Sequence, residues 1–305
     1  MPKGPKLSVD RPDGNVNTAG TTSLREASPL SDFLDNRCWL AACSWIATMP
    51  GMPTSEIHQR AHVASLWRYP VKSMRGESCE ELRFEERGVI GDRAFGVLDL
   101  ASRTIVSAKR DGRLLYAVAA TSSGELVVTL PGGQELDQGE VLDENLSRWL
   151  ERPVKLIDAA TYECQEDFER DDSALVEWEG SSGSFVDESP LHLLTTTDLE
   201  LLARERPELQ WSVRRFRPNV VIDTSLESLG SLESGQRLRL GGVEIEIQKG
   251  CTRCVMTTRP QPELLDRQLD ILRHVIKEHD NVVGSRAVVV KTGLVRVGDQ
   301  VSILP

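Results

Sequence analysis

No run in the 305 residues reaches the roughly 18–20 consecutive apolar positions that a membrane-crossing helix needs. The nearest is Cys38-Trp39-Leu40-Ala41-Ala42-Cys43-Ser44-Trp45-Ile46-Ala47-Thr48-Met49, which lies well inside the chain with a single flanking Arg37. It reads as a short buried or partner-facing helix rather than a signal-peptide core. Basic charge is not in excess: 36 Lys and Arg stand against 47 Asp and Glu, a net −11. That argues against nucleic acid as the main partner, because neutralising phosphates needs a basic face. The six cysteines (Cys38, Cys43, Cys79, Cys164, Cys251 and Cys254) are scattered, not arrayed as a small disulfide scaffold. Reduced thiols in a cytoplasmic protein are the simpler expectation. There is no internal repeat. The acidic stretch at 163–179 has no glycine-spaced calcium-loop pattern and reads as a solvated loop between domains.

What is present is an ordinary balance of 39% hydrophobic and 27% charged residues, at a length that favours two domains. The first 60 residues differ from the rest. Residues 1–30 are rich in Pro, Gly, Ser, Thr and Asn without aliphatic periodicity, which predicts disorder. Residues 1–60 are therefore expected to be disordered or a non-native extension, with Met52 a candidate true start. From His62 the texture is β. Strands are expected at Val63–Val71, Ala94–Leu100, Arg103–Ala108, Glu125–Leu130 and Pro153–Ile157, with a helix at Asp143–Glu151. Short strands with few helices suggest a small barrel over 61–160. An acidic linker at 161–180 then leads to a mixed α and β region at 181–305. There Thr197-Asp198-Leu199-Glu200 reads as a capping box, and Gly241-Gly242 joins Arg237–Leu240 to Val243–Ile247 as a hairpin. A helix is expected over roughly Pro262–His279, followed by strands at Ala287–Val290, Leu294–Val297 and Val301–Leu304.

The most chemically informative run is Gln248-Lys249-Gly250-Cys251-Thr252-Arg253-Cys254-Val255-Met256-Thr257-Thr258. The alternation of Val243, Ile245 and Ile247 ends at Gly250, placing the two thiols in a loop. Lys249 and Arg253 are expected to lower thiol pKa values. Three chemistries are open. Zinc would enlist His274 and His279, but 19 residues separate Cys254 from His274, and the two histidines stand about 140° apart around a helix, as exposed residues near a helix end. A thioredoxin-like dithiol should open a helix, yet Thr257-Thr258-Arg259-Pro260-Gln261-Pro262 follows. A thiolate ligand to a soft redox metal is the third.

Several segments favour the third. Leu66-Trp67-Arg68-Tyr69-Pro70-Val71-Lys72-Ser73-Met74-Arg75-Gly76 resembles the opening of the MOSC family, the molybdenum-cofactor sulfurase C-terminal type. Gly91-Asp92-Arg93-Ala94-Phe95, Asp187-Glu188-Ser189-Pro190-Leu191, Arg215-Phe216-Arg217-Pro218-Asn219 and Cys251-Thr252-Arg253-Cys254 follow in the family's order, and the ending Gly293–Asp299 also resembles it. Any one motif is weak, but the ordered set, running from about His62 to Pro305, is specific. Within the family the resemblance is to the amidoxime-reducing component and its bacterial counterparts.

The resemblance implies a β-rich α+β chain, with an N-terminal MOSC-type β-barrel packed on a β-barrel-like MOSC domain with peripheral helices. It implies a mononuclear molybdenum pterin cofactor, with Cys254 as the catalytic molybdenum thiolate. Lys72, Ser73, Arg93, Ser189, Arg217, Asn219 and Arg253 would hold the pterin and its phosphate. It further implies reduction of small N-oxygenated substrates, with electrons from a separate ferredoxin- or flavin-type protein, since no ferredoxin cysteine set follows in this sequence. Alternatives are a sulfur carrier with a persulfide on Cys254 or Cys251, and a structural zinc domain. Pyridoxal phosphate, also associated with the parent family, is not expected, because no lysine is singled out for a Schiff base. The run Thr257–Leu264 departs from the Thr-Thr-Val-Asp-Pro type of the reductases, which leaves substrate choice open.

Overall fold

Alternating apolar residues generate most of the architecture. The computed structural model describes residues 61–161, 183–224 and 232–305. The expected disorder of residues 1–60, the Met52 start and the acidic linker fall wholly or largely outside the described residues. Strands in the first half are β1 His62–Arg68, β2 Glu77–Cys79, β3 Glu81–Glu85, β4 Gly88–Val89, β5 Phe95–Asp99, β6 Val118–Ser122, β7 Glu125–Thr129 and β8 Glu135–Asp137. Helix α1, Glu140–Leu150, leads to β9, Val154–Asp158. The second half runs β10 Leu191–Thr195, α2 Thr196–Glu205, α3 Val213–Phe216, β11 Val220–Asp223, β12 Arg237–Leu240 and β13 Val243–Thr252. It ends with α4 Leu269–Glu278, β14 Val282–Lys291, β15 Gly293–Arg296 and β16 Val301–Ile303.

The largest sheet has the order β16-β12-β13-β14-β10-β11-β1-β2, so the first two strands of the described residues complete a sheet made by the second half. Strands β15, β3 and β4 form a second sheet, and their side chains join those of the first in one core with Phe84, Leu193, Ile222 and Ile245. A separate core forms where α1 buries Leu142, Leu146 and Leu150 against residues from Val71 to Leu156. The fold is strand-rich, as expected.

Local expectations met different fates. The β12–β13 hairpin forms in register, with Leu240 opposite Val243. The Arg103–Ala108 strand does not form: Ile105 and Val106 are buried, but the segment makes only an isolated bridge from Ile105 to Leu98. The capping box lies two residues earlier than expected. Thr195 Oγ1 accepts from Asp198 N (3.1 Å) and Asp198 Oδ2 accepts from Thr195 N (3.0 Å). The long helix starts not at Pro262 but at Leu269, because Gln261 and Leu265 pair with each other in a tight bridge. The strand before the cysteines does not end at Gly250. Strand β13 continues to Thr252 through register shifts on β14, the kind of bulge that re-aims side chains beside a site.

Candidate functional site

Two loop geometries start the site. After β1 the chain turns through Val71–Gly76, where a Cβ on Gly76 would lie 2.2 Å from the Arg68 carbonyl oxygen, so only glycine fits. Ser73, Arg93 and Arg217 all adopt left-handed backbone angles (φ 69°, 49° and 56°), unusual for residues with side chains. Strain of this kind persists where surrounding structure holds it, and it concentrates at binding sites.

These three residues line one pocket with Lys72, Ser189, Asn219, Arg253 and Cys254. The eight residues named from sequence thus come together, from both halves of the chain. Asp187, Glu188, His192, Arg215, Cys251 and Arg286 share the lining. His192 and Arg286 are direct cross-strand neighbours on β10 and β14, a proximity set by register. Neither was named from sequence, and no local motif marks them. The lining holds six guanidinium or ammonium groups against two carboxylates, in a chain of net −11.

The individual contacts are specific. The Lys72 ammonium donates to the Phe185 carbonyl (3.0 Å) and pairs with Asp187, whose carboxyl stays far below the usual range despite burial because Lys72, Lys109 and Arg93 surround it. Ser73 Oγ accepts from Ala108 N (3.0 Å), which makes it a brace for the turn. Arg93 and Arg217 both lie over the ring of Tyr69, at 4.5 and 4.2 Å from its centroid. Arg93 also pairs with Asp92, whereas Arg217 donates only to the Met74 carbonyl (2.6 Å) and has no ion-pair partner among the described residues. Burial and the neighbouring Arg93 bring the Arg217 pKa down to about 10. Asn219 Oδ1 accepts from His192 N (3.2 Å), and Ser189 Oγ donates to Gln248 Oε1 (3.4 Å).

The cysteine segment corrects one sequence expectation. Arg253 does not serve Cys254: its Nη1 donates to Cys251 Sγ at 2.9 Å, and its Nη2 donates to the Phe216 carbonyl at 2.7 Å. Lys249 points away to pair with Glu188. Burial raises the Cys251 pKa, but His192, Arg253 and Arg286 outweigh it and bring the thiol down to about 5. Cys254 caps the 3-10 turn Val255–Thr258, is half-buried, and its sulfur makes no hydrogen bond among the described residues. One sulfur is thus held as an anion while the other is available as a ligand.

The Cys251 state has a measurable consequence. A depressed folded-state pKa contributes stability that is complete only above the ordinary thiol range near 8.5, and that is lost as pH falls through about 5. The thiolate absorbance of cofactor-free wild type, minus that of Cys251→Ala, should rise with a midpoint near pH 5. A midpoint near the ordinary thiol value would contradict this arrangement.

Cys251 and Cys254 do not meet His274 and His279 to form a four-ligand site. The histidines instead converge on Glu205, so they are neither on opposed faces nor both exposed, as their spacing had suggested.

Comparison with known proteins places the chain in its family. Residues 60–168 match the MOSC N-terminal beta barrel domain, and residues 181–302 match the MOSC domain. The chain belongs to the MOSC family. Its relatives include mitochondrial amidoxime-reducing component 1 of Homo sapiens, 24% identical with 87% of this chain and 89% of the relative covered. The Mus musculus protein of the same name is 25% identical, covering 81% and 84%. Among solved structures, the YUAD protein from Bacillus subtilis aligns with a TM-score of 0.41 at 13% identity, over 80% of this chain and 94% of that one.

Proposed function

We propose that this protein is a molybdenum-cofactor-dependent oxidoreductase that reduces small N-oxygenated molecules such as hydroxylamines or amidoximes. Electrons would come from a separate ferredoxin- or flavin-type protein. The observation that carries the reading is the pocket's uncompensated positive charge beside an unengaged cysteine sulfur. Arg217 has no ion-pair partner among the described residues, Arg253 faces the Cys251 sulfur rather than a carboxylate, and the buried Nε atoms of Arg253 and Arg286 have no hydrogen-bond acceptor. Partly buried cations without partners are costly, and an anionic ligand offsets that cost. A pterin phosphate fits such a cradle, because forked guanidinium donors match phosphate oxygens.

In this reading Arg217, Arg253, Arg93 and Lys72 bind the anionic group, with Ser189 and Asn219 lining it. Ser73 holds the turn that presents Lys72. Cys254 offers the soft thiolate that a molybdenum dithiolene centre favours. Cys251, tied to Arg253, keeps that guanidinium oriented and adds a fixed negative charge. Phe185, Phe216 and Met256 line the same pocket and limit water. When bound, the cofactor supplies a two-electron reservoir and a Lewis acid, and the chain supplies position and charge. Reduced thiols in a cytoplasmic setting are part of the proposal. The curated relatives carry the name amidoxime-reducing component, which supports the substrate class. A second reading, a sulfur carrier, draws on the Cys251 thiolate as a persulfide acceptor.

Arg217→Ala and Lys72→Ala should lower bound pterin, each losing on the order of 1.5–3 kcal/mol of charge-assisted hydrogen bonding. Arg273→Ala, whose side chain is 71% exposed, should not. Pterin released and quantified from the three purified variants reads this out. Equal content in all three would remove the cradle assignment.

A further inference from the structure

The chain has only five histidines, and two of them meet one carboxylate outside the cysteine pocket. Glu205 is the last residue of α2, His274 lies within α4, and His279 follows α4 as its C-terminal cap. The Nε2 atoms of His274 and His279 stand 2.8 and 2.7 Å from the same Glu205 Oε2, with their rings 5.5 Å apart. All three donor atoms lie within 4.8 Å of one another.

The convergence is built. The His274 side chain is 9% exposed and tilts against Trp211, whose Nε1 donates to the Arg206 carbonyl at 2.8 Å. His279 is brought round because it has left the helix (φ −131°, ψ 27°), and Asp280 and Asn281 turn through left-handed angles. The backbone N–H groups of His279 and Asn281 both donate to the Val275 carbonyl.

We propose that Glu205, His274 and His279 form a binding site for a borderline divalent transition metal, with zinc the principal candidate. Two imidazole nitrogens and one carboxylate oxygen are a donor set that zinc accepts, with the fourth position left to water. Tetrahedral ligands about 2.0–2.1 Å from zinc stand about 3.3–3.5 Å apart, so a sub-ångström opening of the present contacts admits the ion. Glu208 and Glu278 lie within electrostatic reach of His274, and their carboxylates add to the attraction for a cation.

The site has a structural consequence for the cysteine segment. The Asn281 carbonyl accepts from Arg253 N at 2.9 Å, and Val282 pairs with Thr252. A metal that fixes His279 would brace the turn on which the Arg253–Cys254 segment rests. The role is therefore a clamp between α2, α4 and that turn, independent of the redox reading.

The test is titration of the full chain with Co²⁺, followed by displacement with Zn²⁺. Wild type should bind one equivalent with visible d–d bands and without thiolate-to-cobalt charge transfer, and Zn²⁺ should raise its unfolding temperature. Glu205→Gln and His279→Gln should each weaken binding by more than the roughly 10–100-fold that loss of a group supporting a ligand costs. Both variants spare His274, which packs on Trp211, and circular dichroism checks their folding. No saturable binding by wild type, unchanged affinity in the two variants, or a thiolate spectrum removed by Cys251→Ala would each overturn the site.

Discussion

Cys254→Ala is expected to abolish reduction of a hydroxylamine, by roughly 10³-fold or more, the order seen when an essential catalytic group is removed. The expectation rests on the contrast between the two sulfurs. Cys251 Sγ is already engaged by Arg253 at 2.9 Å, whereas Cys254 Sγ is half-buried at the pocket with no hydrogen bond among the described residues. Truncating Cys251 removes a negative charge and frees Arg253, so Cys251→Ala should retain measurable turnover with weakened cofactor retention. Steady-state rates with an artificial electron donor, normalised to molybdenum content, separate the two. Equal loss in both variants would favour a dithiol, and full activity in Cys254→Ala would remove the ligand assignment.

Arg215→Met is expected to lose at least about 3 kcal/mol of stability, because several buried or partly buried carbonyls would each lose a charged donor. Arg215 is 1% exposed and makes no ion pair among the described residues, although the Asp266 carboxylate lies within electrostatic reach. Its guanidinium donates to the carbonyls of Gln210 (2.8 Å), Asp266 (2.8 Å), Thr257 (3.1 Å) and Arg259 (3.3 Å), and to the side-chain oxygen of Gln210 (3.0 Å). Methionine fills much of the volume and satisfies none of those oxygens. Two of the four carbonyls follow Cys254 within five residues, so the variant should also lower cofactor content. Denaturant unfolding of wild type and variant reads the stability term. A change below about 1 kcal/mol would show that water replaces the guanidinium, and that the cage is not what holds this segment.

The parts of the fold legible in the sequence were those with one dominant period. Val243, Ile245 and Ile247 alternate, and all three are buried to 1% exposure or less on β13. Leu146 and Leu150 recur at helical spacing and lie on the buried face of α1, which Leu142, just before the expected start at Asp143, also joins. Where two signals competed, local reading failed. Leu265 extends the helical pattern of α4, but the chain at Gln261–Leu265 closes a bridge, and Gln268 becomes the cap. Thr195 and Thr197 each stand three residues before an acidic residue, and burial of Thr196 at the start of α2 accompanies capping by Thr195.

The site was legible as an ordered set of motifs and not as a geometry. Lys72, Ser73, Arg93, Ser189, Arg217, Asn219, Arg253 and Cys254 meet in one pocket, although they are spread over some 180 residues. Which sulfur Arg253 faces depends on how β13 bulges against β14, a tertiary property that spacing does not carry. His192 and Arg286 enter through the register of β10 and β14. The meeting of His274 and His279 on Glu205 depends on where α4 ends, which the helical pattern overran by one residue at the decisive position.

Molybdenum and pterin content of the wild-type chain, produced in a host that makes the cofactor, tests the central claim most directly. The account predicts close to one molybdenum and one pterin per chain, retained at least in part by Cys251→Ala and lost or inactive in Cys254→Ala. Zinc is not diagnostic here, since Glu205, His274 and His279 supply a separate place for it. Wild-type protein containing neither molybdenum nor pterin would contradict the account.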